Sequence, residues 1–146
     1  MVTRAMQMEA LVRRYYELFN ERKLDEAERF VDPQALFTYP VGKEHLIGRA
    51  GYRELTRRWL EGFPDARIEI TAVLMPDPHT AATEWIGHGT HLGTLELPGF
   101  PALPPTGIHT HLPMREIVTI ADGRIVESRM EFEPAEMLRR LGFPSG

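Results

Sequence analysis

Residues 83–107 read TEWIGHGTHLGTLELPGFPALPPTG. The stretch predicts a strand over 80–93, a long Pro/Gly-rich loop, and a returning strand from Ile108. Trp85, Gly87, Gly89 and His91 alternate, so a strand places all four on one face. Two absent side chains between two large rings leave a hollow beside that face. Glycine inside a strand often marks the close approach of a ligand or another backbone. The bland alternative is a bulge or barrel corner with nothing bound. Residues 94–107 carry four of the twelve prolines. That loop is too long for a tight hairpin and reads as a lid or a partner-contact loop.

The neighbouring segments place this strand in a sheet. Residues 67–75 alternate, with Ile68, Ile70, Ala72 and Leu74 on one face. Asp122-Gly123 is a hairpin signal between strands 108–120 and 124–132. Helices come first in the chain. Residues 3–20 repeat Met8, Val12, Tyr15 and Phe19 at helical spacing, and 49–62 repeat Tyr52, Leu55 and Trp59, with Phe63 next in the series. A short helix over 24–31 stops at Asp32-Pro33, and a short strand follows at 35–39. Pro134 and Gly142 bracket a C-terminal helix. Helices followed by antiparallel strands predict an α+β fold, with helices on one face of a curved sheet, in one domain over 1–146.

Composition narrows the function. Hydrophobic residues make up 42% of 146 residues, enough for a core around a pocket. No apolar run is long enough to span a membrane, and the first residues lack a secretory h-region. The absence of cysteine excludes disulfides and thiolate catalysis and fits a cytoplasmic location. A net charge of −4 without a basic block disfavours nucleic acid as a partner. No membrane partner is expected either.

Several motifs recur together: Val12-Arg13-Arg14-Tyr15 with Phe19-Asn20, Phe63-Pro64-Asp65, Gly89-Thr90-His91-Leu92-Gly93, Pro105-Thr106-Gly107, Ala121-Asp122-Gly123-Arg124-Ile125-Val126-Glu127, and Leu138 to Gly142. Their order and spacing resemble the SnoaL-like polyketide cyclase family, within the nuclear transport factor 2-like superfamily. The resemblance implies a cone: a curved, mixed, mostly antiparallel sheet with N-terminal helices packed on its concave face. It implies an apolar pocket between them, and a homodimer is expected through the open sheet face. It further implies ring closure by intramolecular aldol chemistry, with an Asp on the last strand as acid/base, a nearby His, and no metal or organic cofactor. Here Met130 falls on the Asp position and Glu116 on the supporting His position, while His91 is retained. The chain also resembles ketosteroid isomerase, of the same fold, around residues 12–15 and Pro40-Val41-Gly42. In that resemblance Tyr15 matches the oxyanion-hole tyrosine. Tyr39 falls on the general-base Asp, and Arg115 or Glu116 on the second oxyanion-hole acid.

Strand parity selects the candidate residues. Val126, Ser128, Met130 and Phe132 form the apolar face of the last strand, so Glu131 points away from the interior. Met114, Glu116, Val118 and Ile120 share a face of the strand before it. Glu116 is the odd carboxylate there. Burial raises such a group's pKa and suits it to acid/base work, unless parity slips after Pro113 and leaves it solvated. His91 is expected either in the hollow, binding a substrate oxygen or Glu116, or as a structural histidine bonded to the Pro-rich loop. Tyr15 and Tyr39 are candidate donors to a carbonyl or enolate oxygen. Phe19, Phe37, Trp59, Trp85, Met114, Val118, Met130 and Phe132 are expected as pocket walls, with ordinary core as the alternative. His109 and His111 share a strand face as a usable ligand pair, but His88 and His91 fall on opposite faces, and no metal is expected. The expected ligand is a small, largely apolar, oxygenated molecule. Three functions fit: a cofactor-independent enzyme acting on a carbonyl compound, a non-catalytic binding protein, or an epoxide hydrolase-like enzyme. The last needs paired carboxylates and an Arg, whereas Arg115 and Glu116 point to opposite faces.

Overall fold

Each long helix in the first half of the chain has one apolar stripe, and both stripes are buried against the same sheet. The structure is a computed structural model and describes residues 1–144. Helix α1 spans Arg4–Asn20; the Thr3 side chain caps it by accepting the Met6 N–H at 3.1 Å. Met8, Val12, Tyr15 and Phe19 are buried as the spacing predicts, together with Tyr16 and Leu18. Helix α2, Leu24–Ala27, continues as a 3-10 turn over Glu28–Phe30. Strands β1 (Val31–Thr38) and β2 (Leu46–Ile47) lead into α3 (Gly48–Gly62). Then follow β3 (Arg67–Asp77), β4 (Thr80–Thr90), β5 (His109–Ala121), β6 (Arg124–Glu131) and α4 (Pro134–Arg140).

The six strands form one sheet in the order β2-β1-β6-β5-β4-β3. Every pairing is antiparallel except β1 with β6. Asp122 and Gly123 both take positive φ, 52° and 72°, as a two-residue hairpin turn of the primed type requires. The fold is therefore a mixed α+β cone, with α1 and α3 on the concave face. Among the described residues no helix is long and apolar enough to cross a membrane.

Four local expectations are corrected. The second helix ends earlier, and β1 begins at Val31 instead of Ala35. Pro33 is accommodated because the β1–β6 register shifts between Val31 and Leu36. In β3 a register shift between Ile70 and Ala72 flips the parity, so Leu74 is 52% exposed. Strand β4 stops at Thr90, because the next amides turn to α3: Leu92 and Gly93 N–H both donate to the Gly62 carbonyl.

The loop 94–107 is packed rather than free. Leu95, Leu97 and Leu103 are buried, and Leu95 and Leu103 exchange two main-chain hydrogen bonds of 3.0 and 2.9 Å. Leu95 presses on the end of α3, where a Cβ on Gly62 would lie 2.8 Å from its Cδ1. The loop thus supplies core at one end of the cone.

Candidate functional site

A cavity of about 100 Å³ lies between the concave sheet face and helices α1 and α3. An apolar cavity of about 150 Å³ accepts a benzene ring, so this one has the scale of a small ring. Nine aromatic side chains line it: Tyr15, Tyr16, Phe19, Phe37, Tyr39, Tyr52, Trp59, Phe63 and Trp85. Met114 and Met130 line it from β5 and β6. These places follow from the alternation of β5 and of β6 from Ser128 to Met130; a register shift at the start of the pair buries Ile125 there, where Val126 was expected.

Glu116 is the sole carboxylate among the lining residues and is 5% exposed. Its neighbours are hydroxyls. Tyr16 from α1 reaches Glu116 Oε1 at 2.6 Å, and Ser128 from β6 makes a very short contact with Oε2. Thr83 Oγ1 lies 2.8 Å from the Tyr16 hydroxyl and donates to the Glu116 main-chain carbonyl at 3.0 Å. Burial raises the Glu116 pKa, against the opposing pull of hydrogen bonds from Ser128 and Tyr16.

Counting hydrogens bears on the protonation state of Glu116. There are four contacts: Tyr16 to Glu116, Ser128 to Glu116, Thr83 to the carbonyl, and Tyr16 to Thr83. Three hydroxyls supply three hydrogens. With an ionised carboxylate, Tyr16 and Ser128 donate to it and Thr83 donates to the carbonyl. The Tyr16–Thr83 contact is then left without a hydrogen. A proton on Glu116 fills the gap: the acid donates to Tyr16, and Tyr16 passes its own hydrogen to Thr83. A protonated Glu116 is the form that satisfies all four contacts at once.

Other donors in the wall are uncommitted. Tyr39 accepts the Trp59 Nε1–H at 2.5 Å, and its own hydrogen has no acceptor among the described residues. Tyr15 is 5% exposed and lines the cavity, and burial raises its pKa well above the ordinary tyrosine value, so it stays protonated as a donor. Trp85 Nε1 is buried without a partner among the described residues. An unpaired buried N–H costs about 1–3 kcal/mol.

Of the residues expected at the site, Glu116, Tyr15, Tyr39, Phe19, Phe37, Trp59, Trp85, Met114 and Met130 line the cavity. Three do not. Val118 is fully buried in the core. Phe132 turns to the loop, stacking on Phe100 with ring centroids 6.0 Å apart. His91 is fully buried beyond the end of β4, where its ring meets Phe63 and its Nδ1 lies 3.1 Å from Thr106 Oγ1. Its main chain accepts from Gly107 and donates to Ile108. His91 therefore anchors the loop and makes no contact with Glu116. Burial lowers its pKa, so it sits there neutral.

The hollow beside Gly87 and Gly89 is partly filled by protein. A Cβ on Gly89 would lie 3.0 Å from the Phe63 ring, and one on Gly87 3.3 Å from the Trp85 ring. Sequence reasoning missed Tyr16 and the pairing role of Ser128. Both had a signal: Tyr16 is four residues after Val12, and Ser128 is the one polar residue on an apolar strand face.

No curated protein matches this chain. Solved structures share the fold over nearly the whole length. A candidate polyketide cyclase from Xanthomonas campestris pv. campestris is 20% identical, covers 96% of this chain and 100% of its own, and has a TM-score of 0.80. IdmH, a candidate polyketide cyclase from Streptomyces antibioticus, is 27% identical, covers 92% and 97%, and has a TM-score of 0.72. SalBIII, an epoxide hydrolase/cyclase-like enzyme of pyran-ring formation in salinomycin, is 20% identical, covers 92% and 95%, and has a TM-score of 0.71. The SnoaL-like domain pattern matches residues 12–128, most of the chain, which therefore belongs to the SnoaL-like family.

Proposed function

We propose that the cavity binds a small, largely apolar molecule carrying a carbonyl oxygen, and that Glu116 acts on it as a neutral acid without a cofactor. The observation that carries this reading is the buried carboxyl whose hydroxyl network needs one more hydrogen than the hydroxyls supply. A donor aimed at a carbonyl oxygen stabilises the charge that develops there when an enol forms, and does so strongly in a dry site. In the resting network the Glu116 hydrogen is held by Tyr16, so a substrate oxygen receives it by taking the place of Tyr16, while the hydrogen of Tyr39 is already free. Polarising the carbonyl in this way promotes enol-type isomerisation or aldol ring closure. This assignment moves the acid from the family's Asp position, taken by Met130, to the adjacent strand. An epoxide hydrolase-like reaction is disfavoured because no second carboxylate is among the lining residues.

Enolisation can be tested without knowing the natural substrate. Small aryl ketones such as acetophenone are incubated with the protein in D2O, and exchange of the hydrogens beside the carbonyl is followed by NMR. Exchange above background that falls in Glu116→Gln and Tyr16→Phe supports the reading. No exchange with any ketone, in a protein that still binds them, favours a non-catalytic binder. Exchange untouched by both substitutions removes Glu116 from the chemistry.

A further inference from the structure

Three histidines gather on the outward face of the sheet, opposite the side that carries Glu116, with His88 also at the cavity's margin. His109 and His111 are two apart on β5 and share that face. The β4–β5 register puts His88 directly across from His111. His88 Nδ1 lies 2.6 Å from His111 Nδ1, and the His109 and His111 ring centroids are 5.3 Å apart. The expectation of no metal rested on pairing His88 with His91; the register pairs it with His111 instead.

The hydrogen bonds behind these rings fix where their lone pairs point. Glu69 Oε1 lies 2.7 Å from His88 Nε2. A carboxylate only accepts, so Nε2 carries the hydrogen and Nδ1 is left with a lone pair facing His111. Thr90 Oγ1 donates its one hydrogen to Asp65 Oδ2 at 2.8 Å. His109 Nδ1, 2.8 Å from the same Oγ1, must therefore donate to it, which leaves a lone pair on His109 Nε2. Metal-binding histidines have this support: the far ring N–H is held by a carboxylate or another acceptor, which sets the tautomer and raises basicity. His88 and His111 now share one proton between two nitrogens. A metal ion can replace that proton once the nitrogens part to about 3.3 Å, the separation set by two bonds of about 2.0 Å at a tetrahedral angle.

We propose that His88, His111 and His109 form a site for a borderline divalent transition-metal ion such as Zn2+, with Glu69 and Asp65 supporting it through hydrogen bonds. Imidazole suits such ions, and three histidines leave one position for water. Among the described residues no three donors converge on one point as the side chains stand; His88 and His111 form the facing pair, and His109 joins them only by exchanging its Thr90 hydrogen bond for the metal. His109 and His111 are exposed and free to adjust. Two cations lie nearby: Arg67, across from His88 on β3, and Arg140, which donates to the His111 carbonyl at 2.8 Å. Glu69 and Asp65 offset them.

The test is calorimetric titration of metal-free, full-length protein with ZnCl2 at pH 7.5, paired with thermal melts. One ion per chain is expected, with a rise in melting temperature, because only the folded chain brings the rings together. His88→Gln and His111→Gln should each weaken binding at least tenfold, and Glu69→Gln about tenfold. His45→Gln with His79→Gln should leave it unchanged. Should the His88 or His111 variant unfold, Glu69→Gln and His109→Gln, at exposed positions, decide the matter. No binding at 1 mM Zn2+, or binding that survives these substitutions, overturns the proposal.

Discussion

Replacing Glu116 by Gln exchanges a buried acid for an amide of nearly the same shape. The amide N–H can donate to Tyr16 and its oxygen can accept from Ser128, so the four contacts keep their four hydrogens. One N–H is left over in a site with no further acceptor. At pH 4.5 the variant should therefore be less stable than the parent by about 1–3 kcal/mol. Above that the difference depends on pH. The folded-state pKa of Glu116 is raised by burial from the ordinary 4.5. The stability it contributes is thus complete below 4.5 and is lost as pH rises toward the folded value, because the unfolded chain ionises first. Over that window the parent loses up to about 1.4 kcal/mol per pH unit, and the glutamine variant does not. The gap should narrow as pH rises from 4.5 toward the raised folded-state value. Urea unfolding of both proteins between pH 4.5 and 8 measures it. Parallel curves would refute the neutral acid, since an ionised carboxylate held by the hydroxyls would give the opposite slope.

Tyr16→Phe removes the hydroxyl that links Glu116 and Thr83 and should cost about 1–3 kcal/mol in urea unfolding; a loss under about 0.5 kcal/mol, the level of an ordinary surface change, would mean the network is idle. Gly89→Ala puts a methyl 3.0 Å from Phe63 and should cost about 1–3 kcal/mol by overpacking; a neutral effect would show that Phe63 moves aside freely. His91 has its pKa lowered from 6.5 by burial, so the folded chain resists a proton that the unfolded chain takes up, and stability falls as pH drops through that region. Relative to the parent, His91→Leu should gain melting temperature on going from pH 7 to 5.5, without changing acetophenone binding; the same pH dependence in both proteins would show that His91 does not contribute to it.

Glu116 was legible because β5 alternates without a break. Every second residue from Thr110 to Ile120 faces inward, and one of them is a carboxylate. Pro113 does no harm because it sits on the outward side. The same rule failed in β3, where a bulge moved Leu74 to the surface, since bulges leave no signature in alternation alone. Tyr15 and Tyr16 illustrate the limit on a helix. Both lie within the buried arc of α1, and which hydroxyl meets Glu116 depends on how α1 is rotated over β4 and β5. His91 follows the last residue of β4 instead of continuing its inward face. It is kept from the cavity by Phe63, a residue 28 positions earlier, and by the path of the loop. Those are tertiary facts, and no local pattern encodes them.

The one parallel pairing has a bearing on how the chain is made. Val31 of β1 pairs with Ile125 of β6, 94 residues later. At a synthesis rate of about 5–20 residues per second, the ribosome takes roughly 5–20 s to deliver that partner. Until then β1 has only the two-residue β2 beside it, and Tyr16 waits longer than α1 itself for Glu116 and Ser128 to emerge. The edge of β1 that receives β6 is thus unpaired through most of translation. Chaperone engagement of nascent chains stalled before residue 125 should exceed that of chains stalled past it.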